Sequence, residues 1–150
     1  MEHYIIDGNN LIGKVESLYK LQKKNKQLSR EKTAFLIDNY FIQKNRKGTL
    51  HFDGFENVPI KVNKLRIIYS GKATADEKIK EEIEKSTNRS SLIIISSDHN
   101  IIEFAKVCRC RSILSEIFGK SLMQRDLIGE EQKKIDEINN TDEFRKLFGV

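Results

Sequence analysis

The sequence is poor in the residues that would admit several whole classes of protein. Of 150 residues only two are cysteine, one is proline and none is tryptophan. Cys108 and Cys110 are too few for a disulfide framework or a zinc site. An extended backbone between them would hold the two thiols apart, so both are expected to be reduced. No apolar run approaches the roughly 20 residues that span a bilayer, so no membrane association is expected. The opening MEHYIIDGNN lacks a basic stretch followed by a long apolar one and does not read as a signal peptide. A cytoplasmic location is the expectation. Neither G-x-G-x-x-G nor G-x-x-x-x-G-K-[ST] occurs, which argues against dinucleotide and P-loop nucleotide binding. The G-x-S-x-G elbow of a serine hydrolase is missing as well. Internal repeats and low-complexity linkers are also lacking.

What is present suits one soluble globular domain. Hydrophobic residues make up 38% of the chain and charged residues 33%. A domain of this length buries about two-thirds of the surface its unfolded chain exposes, so one core is enough. The net charge of +5 favours a polyanionic partner such as nucleic acid.

Periodicity and caps place the elements. Tyr4-Ile5-Ile6 is a short apolar run ending in the turn signal Asp7-Gly8-Asn9-Asn10. Residues 11–26 are polar and partly helical in pattern. Ser29 is the expected N-cap of a helix through Asn45, with Ala34, Phe35, Ile37, Phe41 and Ile42 facing inward. Thr49–Phe52 reads as a strand ending at Asp53-Gly54, and Lys64–Tyr69 as a strand followed by Ser70-Gly71. Thr74 and Glu77 form a capping box for a helix to about Lys85. Ser91–Ser96 is the most apolar run and ends at Ser97-Asp98. Ile101–Val107 is helical in pattern, and Arg111–Leu114 is a last short strand. Further helices are expected near 130–138 and 141–148, the last capped by Asn140 with Glu143. Alternation of strands and helices predicts βαβ units, a mainly parallel sheet and right-handed crossovers: a three-layer α/β/α sandwich.

The acids fall in a pattern on this scheme. Asp7, Asp53 and Asp98 end strands, and Asp76 and Glu77 stand at the head of the helix that follows another. In an open parallel sheet these ends line the ligand crevice. Crowded carboxylates raise one another's pKa values unless a cation sits among them, and hard divalent cations take oxygen ligands. Each acid also has a structural use. Asp7 and Asp53 suit turns, Asp98 suits an N-cap, and the capping box already accounts for Glu77. Asn10 offers an amide that can hold a ligand carboxylate or a water. Ser97 can donate to a carboxylate or to a substrate phosphate. A phosphate receiver domain would want adjacent acids after strand one and a lysine after strand five. Strand one offers Asp7 alone, and strand five ends in Ser115-Glu116. A haloacid-dehalogenase-type phosphatase would want Asp-x-Asp, and Asn9 stands there instead.

Ile5-Ile6-Asp7-Gly8-Asn9-Asn10-Leu11-Ile12-Gly13 resembles the opening motif of NYN domains, the PIN-like nucleases, and of their YacP-like branch in particular. His51-Phe52-Asp53-Gly54, Thr74-Ala75-Asp76-Glu77 and Ser96-Ser97-Asp98 resemble its later motifs, in the same order, over residues 4–118. The resemblance implies a PIN-like fold and Mg²⁺- or Mn²⁺-dependent RNA cleavage. It implies Asp7, Asp76 and Asp98 as metal-site acids, Asn10 as their support and Asp53 next in line. Glu77 departs from the pattern, since the family often has a second aspartate there. The expected mechanism is endoribonucleolytic hydrolysis by metal-activated water, and the family implies a 5′-phosphate product. The alternative is an RNA-binding or interaction module on the same fold with little catalysis. The intact set Asp7, Asp76 and Asp98 favours the nuclease. Free and ribosome-bound RNA are both candidate substrates.

Basic residues before the first long helix, Lys23, Lys24, Lys26 and Arg30, are the expected phosphate contacts, set against the alternative of a solvated helix face. Tyr19, Tyr40 and Tyr69 are candidates for base stacking, with core packing the competing role for the last two.

Overall fold

The structure is a computed structural model and describes residues 1–124. The helices expected near 130–138 and 141–148 lie outside the described residues. Five strands, β1 (His3–Asp7), β2 (Lys47–Phe52), β3 (Leu65–Tyr69), β4 (Leu92–Ile95) and β5 (Arg111–Ile113), form one sheet in the order β3-β2-β1-β4-β5. Every pairing is parallel. The helices are α1 (Gly8–Lys14), α2 (Glu16–Lys24), α3 (Lys26–Lys44), α4 (Ala75–Lys85), α5 (His99–Val107) and α6 over residues 115–124.

Strand alternation splits the core in two. Ile6, Leu50, Phe52, Ile93 and Ile95 face Leu11, Leu18, Ala34, Ile37, Phe41 and Phe118 of α1, α2, α3 and α6. Ile5, Leu92 and Ile94 face Ile79 and Ile83 of α4 and Ile101 and Ala105 of α5. The three-layer sandwich follows from these two interfaces. Ile5, Ile6, Ile94 and Ile95 are wholly buried, as central parallel strands covered on both faces require. Each such side chain contributes about 1.5–3 kcal/mol by leaving water.

Three local expectations change. Helix α3 starts earlier than Ser29: its N-cap is Asn25, whose Oδ1 accepts the Leu28 N–H at 3.1 Å. Ser29 is instead fully buried inside the helix and donates to the Leu18 carbonyl at 2.8 Å, tying α3 to α2. Phe35 and Ile42 are 46% and 45% exposed, because the buried stripe runs through Arg30, Thr33, Ala34, Ile37 and Phe41, and they lie off it. The polar stretch after Asp7 forms two helices broken at Val15, whose extended backbone lets its side chain turn into the core.

The crossover from β2 to β3 contains no helix. Residues 53–64 are held instead by α3. The Asp38 carboxylate, buried, accepts the N–H groups of Asn63 and of Lys64, the latter at 2.7 Å. Ile60 and Val62 pack on the core beneath.

The topology positions the site. From β1 the chain steps outward to β2 and β3, then crosses back to β4 on the other side of β1. α1 leaves β1 toward one face of the sheet, and α5 follows β4 on the other. The connections diverge, and a crevice opens at the C-terminal ends of β1 and β4. Among the described residues no helix is long and apolar enough to cross a membrane.

Candidate active site at the carboxylate edge

Asp7 ends β1 and caps α1, accepting the Asn10 N–H at Oδ1 at 3.4 Å. Gly8 must follow it, because a Cβ there would lie 2.6 Å from the His51 carbonyl oxygen of β2. Asp7 is 7% exposed. Burial pushes its carboxyl up to about 6; hydrogen bonds from Ser96 and Asn10 oppose the rise, and the charges of Asp53 and Asp98 add to it. Asp7 therefore feels the charges of Asp53 and Asp98 from the neighbouring strand ends.

Ser96 joins two of them. Its hydroxyl donates to Asp7 Oδ2 at 3.0 Å and accepts the Asp98 N–H at 3.1 Å. Asp98 in turn caps α5, its Oδ1 accepting the Asn100 N–H at 2.8 Å. Its capping role is thus real, and Oδ2 is left for other partners.

Asp53 reaches the head of α4, which carries Asp76. Asp53 Oδ1 accepts the Ala75 N–H at 2.7 Å, one residue before Asp76. Asp76 Oδ2 pairs with Lys80 at 3.2 Å, while its Oδ1 is buried without a hydrogen-bond partner. Glu77 is exposed, and its N–H donates to Thr74 Oγ1 at 3.1 Å, the closing bond of the helix cap.

Asn10 organises the far side. Its Oδ1 accepts the Ser97 N–H at 2.9 Å and the Ser115 hydroxyl at 2.7 Å. Ser97 Oγ donates to Glu116 at 2.8 Å and accepts the Ser115 N–H at 2.9 Å. Ser97 is thus engaged inside the protein, where the sequence suggests a substrate contact. The Ser97 hydrogen bond holds the Glu116 carboxyl below its usual range. Sequence reasoning misses Ser96, Ser115 and Glu116. The one available signal is the polar Ser115-Glu116 pair at a strand end, the same placement that singles out the aspartates.

Arg30 departs from the expected phosphate contact. It is 3% exposed, and it donates from Nη2 to the Asp53 carbonyl at 2.6 Å and from Nη1 to the Phe55 carbonyl at 3.0 Å. Its guanidinium lies 5.3 Å from the Phe52 ring centre and 5.2 Å from that of Tyr69. Lys23, Lys24 and Lys26 are exposed at the α2–α3 junction. That junction lies at the site's end of the molecule, since Arg30 reaches Asp53 from one turn further along α3. Tyr40 packs edge-on against Phe118, and Tyr69 lies under Arg30. Tyr19 is 43% exposed with Lys23 over its ring.

The aspartates and Asn10 at this edge offer oxygen donors, as a hard cation requires. The unpaired Asp76 Oδ1 and the mutual repulsion felt by Asp7 are what a cation would relieve. Among the described residues no three histidine, cysteine or acid side chains are gathered closely enough to hold an ion by themselves. The fit is to an ion held by one or two carboxylates, with water and phosphate completing its shell. A separate groove of about 300 Å³ between β3 and α4 is lined by Arg66, Lys78, Glu81, Glu82 and Lys85. Its Glu81 is matched by Lys85 at 2.7 Å and Lys78 at 3.5 Å, so it lacks the charge imbalance of the carboxylate edge.

The fold has known relatives. The sequence model of the YacP-like NYN domain matches residues 4–147. The crystal structure of Rae1 (YacP) from Bacillus subtilis superposes with a TM-score of 0.70 at 18% identity, covering 99% of this chain and 92% of that one. The structure of its W164L mutant gives a TM-score of 0.70 at 18% identity, over 91% and 85% of the two chains. At that identity the likeness shows the fold alone. No curated protein sequence matches the chain.

Proposed function

Because the chain belongs to the YacP-like NYN domain family of PIN-like nucleases, we propose that it is a divalent-metal-dependent endoribonuclease whose site is the carboxylate edge. The observation that supports this most is the Asp7–Ser96–Asp98 chain of hydrogen bonds at the topological switch point. It brings two acids from separate strands to one crevice, where their charges oppose each other. Asp7 and Asp98 would hold Mg²⁺ or Mn²⁺, with Asp76 and Asp53 alongside and Glu77 at the margin. A bound cation supplies activation of the attacking water and neutralisation of charge on the phosphate.

The chain's own residues supply the rest. Ser96 holds the Asp7 carboxylate and the backbone of Asp98, so the two residues keep their register. Asn10 ties the ends of β1, β4 and α6 together, so the crevice keeps its width. Arg30 anchors the Asp53 loop, and Asp53 anchors the head of α4, which carries Asp76. Substrate phosphates meet an acidic edge, so the approach must be supplied with cations. Lys23, Lys24 and Lys26 at the same end of the molecule are assigned that role.

The test incubates structured and unstructured RNAs, free and ribosome-bound, with the protein in Mn²⁺, Mg²⁺ or EDTA. The expected result is internal cleavage in either metal and none in EDTA. The Asp98→Asn variant should lose cleavage, keep its fold and bind RNA as well or better, since it removes a charge from a repulsive site. Full activity in that variant would remove Asp98 from the site. RNA binding without cleavage by the unsubstituted protein would favour the binding-module reading.

A further inference from the structure

We propose that Phe55 is a stacking platform for one unpaired base of the RNA substrate, set on the rim of the carboxylate edge. This rests on the reading of that edge as an RNA site. Phe55 is 66% exposed. An isolated exposed apolar side chain is ordinary on a protein surface and by itself means nothing. What sets Phe55 apart is the rigidity of the backbone that displays it.

The backbone on either side of the ring is held. Gly54, at φ +85, makes the turn that only glycine takes easily, and its N–H donates to Ser70 Oγ at 2.9 Å. The Gly54 carbonyl accepts the Gly71 N–H at 2.8 Å. Arg30 grips the carbonyls on both sides, at Asp53 and at Phe55 itself. Further along, the Gln27 amide donates to the Val58 carbonyl at 3.0 Å. Burying a guanidinium is costly, and this one is spent on main-chain carbonyls, with its Nε left without a partner. A buried cation and a left-handed glycine thus present a phenyl ring to solvent two residues beyond Asp53.

The surroundings fit a single strand. One edge of the ring lies beside Gly71, where an added Cβ would stand 3.7 Å from Cε1. Lys72, exposed, follows immediately and can meet a phosphate. Asp53 stands two residues before Phe55, and its carboxylate holds the Ala75 N–H at the head of α4. An aromatic face beside a backbone-tracking cation is the usual construction of single-strand sites, and it tolerates any base because every base has a π-face. A base paired in a helix could not reach it without leaving its stack.

The experiment measures affinity for a short single-stranded RNA by fluorescence anisotropy, in EDTA and on the Asp98→Asn background. Phe55→Ala is expected to weaken binding about 5- to 150-fold, the range for loss of one stacked base. Phe55→Tyr and Phe55→Trp should stay near the parent, and Phe55→Leu should resemble Ala, since it keeps apolar area and loses the π-face. The chain has no tryptophan of its own, so Phe55→Trp also gives a single emission signal that a stacked base should quench. Unchanged affinity in Phe55→Ala would overturn the proposal. So would Leu performing as well as Phe, which would mark an apolar contact such as a protein surface, or an unquenched Trp with RNA bound. Cleavage by the parent protein together with unaltered binding in Phe55→Ala would sink the platform alone. Loss of binding in Phe55→Ala with no cleavage by the parent would sink only the nuclease.

Discussion

Asp7 and Ser96 are hydrogen-bonded at 3.0 Å across the ends of β1 and β4, 89 residues apart in sequence, inside the protein. The same hydroxyl receives the Asp98 N–H. Ser96→Ala therefore removes a donor from one acid and an acceptor from the backbone of the other. A buried group left unsatisfied costs about 1–3 kcal/mol. The variant should unfold at lower urea, and its cleavage rate should fall by more than its RNA affinity. A variant with parental cleavage would make Ser96 merely a strand-end serine.

The Asp7 carboxyl titrates at about 6 in the fold, against an ordinary 3.8. Its folded pKa is raised, so this group favours folding fully below about 4, and that contribution is lost as pH rises through about 6. The span corresponds to at most about 3 kcal/mol. Asp7→Asn should remove this slope. In EDTA at pH 7.5 the variant should be more stable than the parent, and by pH 4 the advantage should vanish. Urea midpoints across pH 4–7.5 read the difference, and parallel curves for the two proteins would contradict the assignment.

Arg30 separates two roles by salt. As an internal clamp on Asp53 and Phe55, Arg30→Lys keeps the charge and loses the planar fork, so one of the carbonyls loses its partner. Stability should drop by about 2–4 kcal/mol, as expected for a broken buried network. RNA cleavage should fall with it, while the salt dependence of binding stays as it was. A flatter salt slope with unchanged stability would return Arg30 to the phosphate contacts.

Lys23, Lys24 and Lys26 give the opposite signature. Changing all three to Ala touches no buried group, so stability should hold within about 0.5 kcal/mol per site. The log–log salt slope of single-strand RNA binding should fall by about 0.7 for each phosphate that these lysines neutralise. An unchanged slope would leave them as a solvated face.

Withdrawal of the cation offers a separate check. If a divalent ion relieves the repulsion among Asp7, Asp53 and Asp98, Mn²⁺ should raise the melting temperature of the parent protein, by the linkage of ligand binding to folding. The rise should shrink in Asp98→Asn. An identical rise in both proteins would place the ion elsewhere.

The sequence alone determined the alternation of strands and helices, the parallel sheet and the strand-end positions of Asp7, Asp53 and Asp98. These follow from local periodicity and from turn and cap chemistry, which act over a few residues. It also determined the Thr74 cap, because a capping hydroxyl bonds within one turn. The start of α3 was less legible, since Asn25 and Ser29 are both good caps and only burial of Ser29 against α2 chose between them. Strand order was decided in space. It alone put β4 beside β1, and so Asp98 beside Asp7 through Ser96. The role of Arg30 could not be read from a run of basic residues, because charge says nothing about which side of a helix meets a ring and two carbonyls. Phe55 was invisible for the same reason. An apolar residue after a turn reads as core, and only the tertiary clamp on its backbone turns it outward beside the acids.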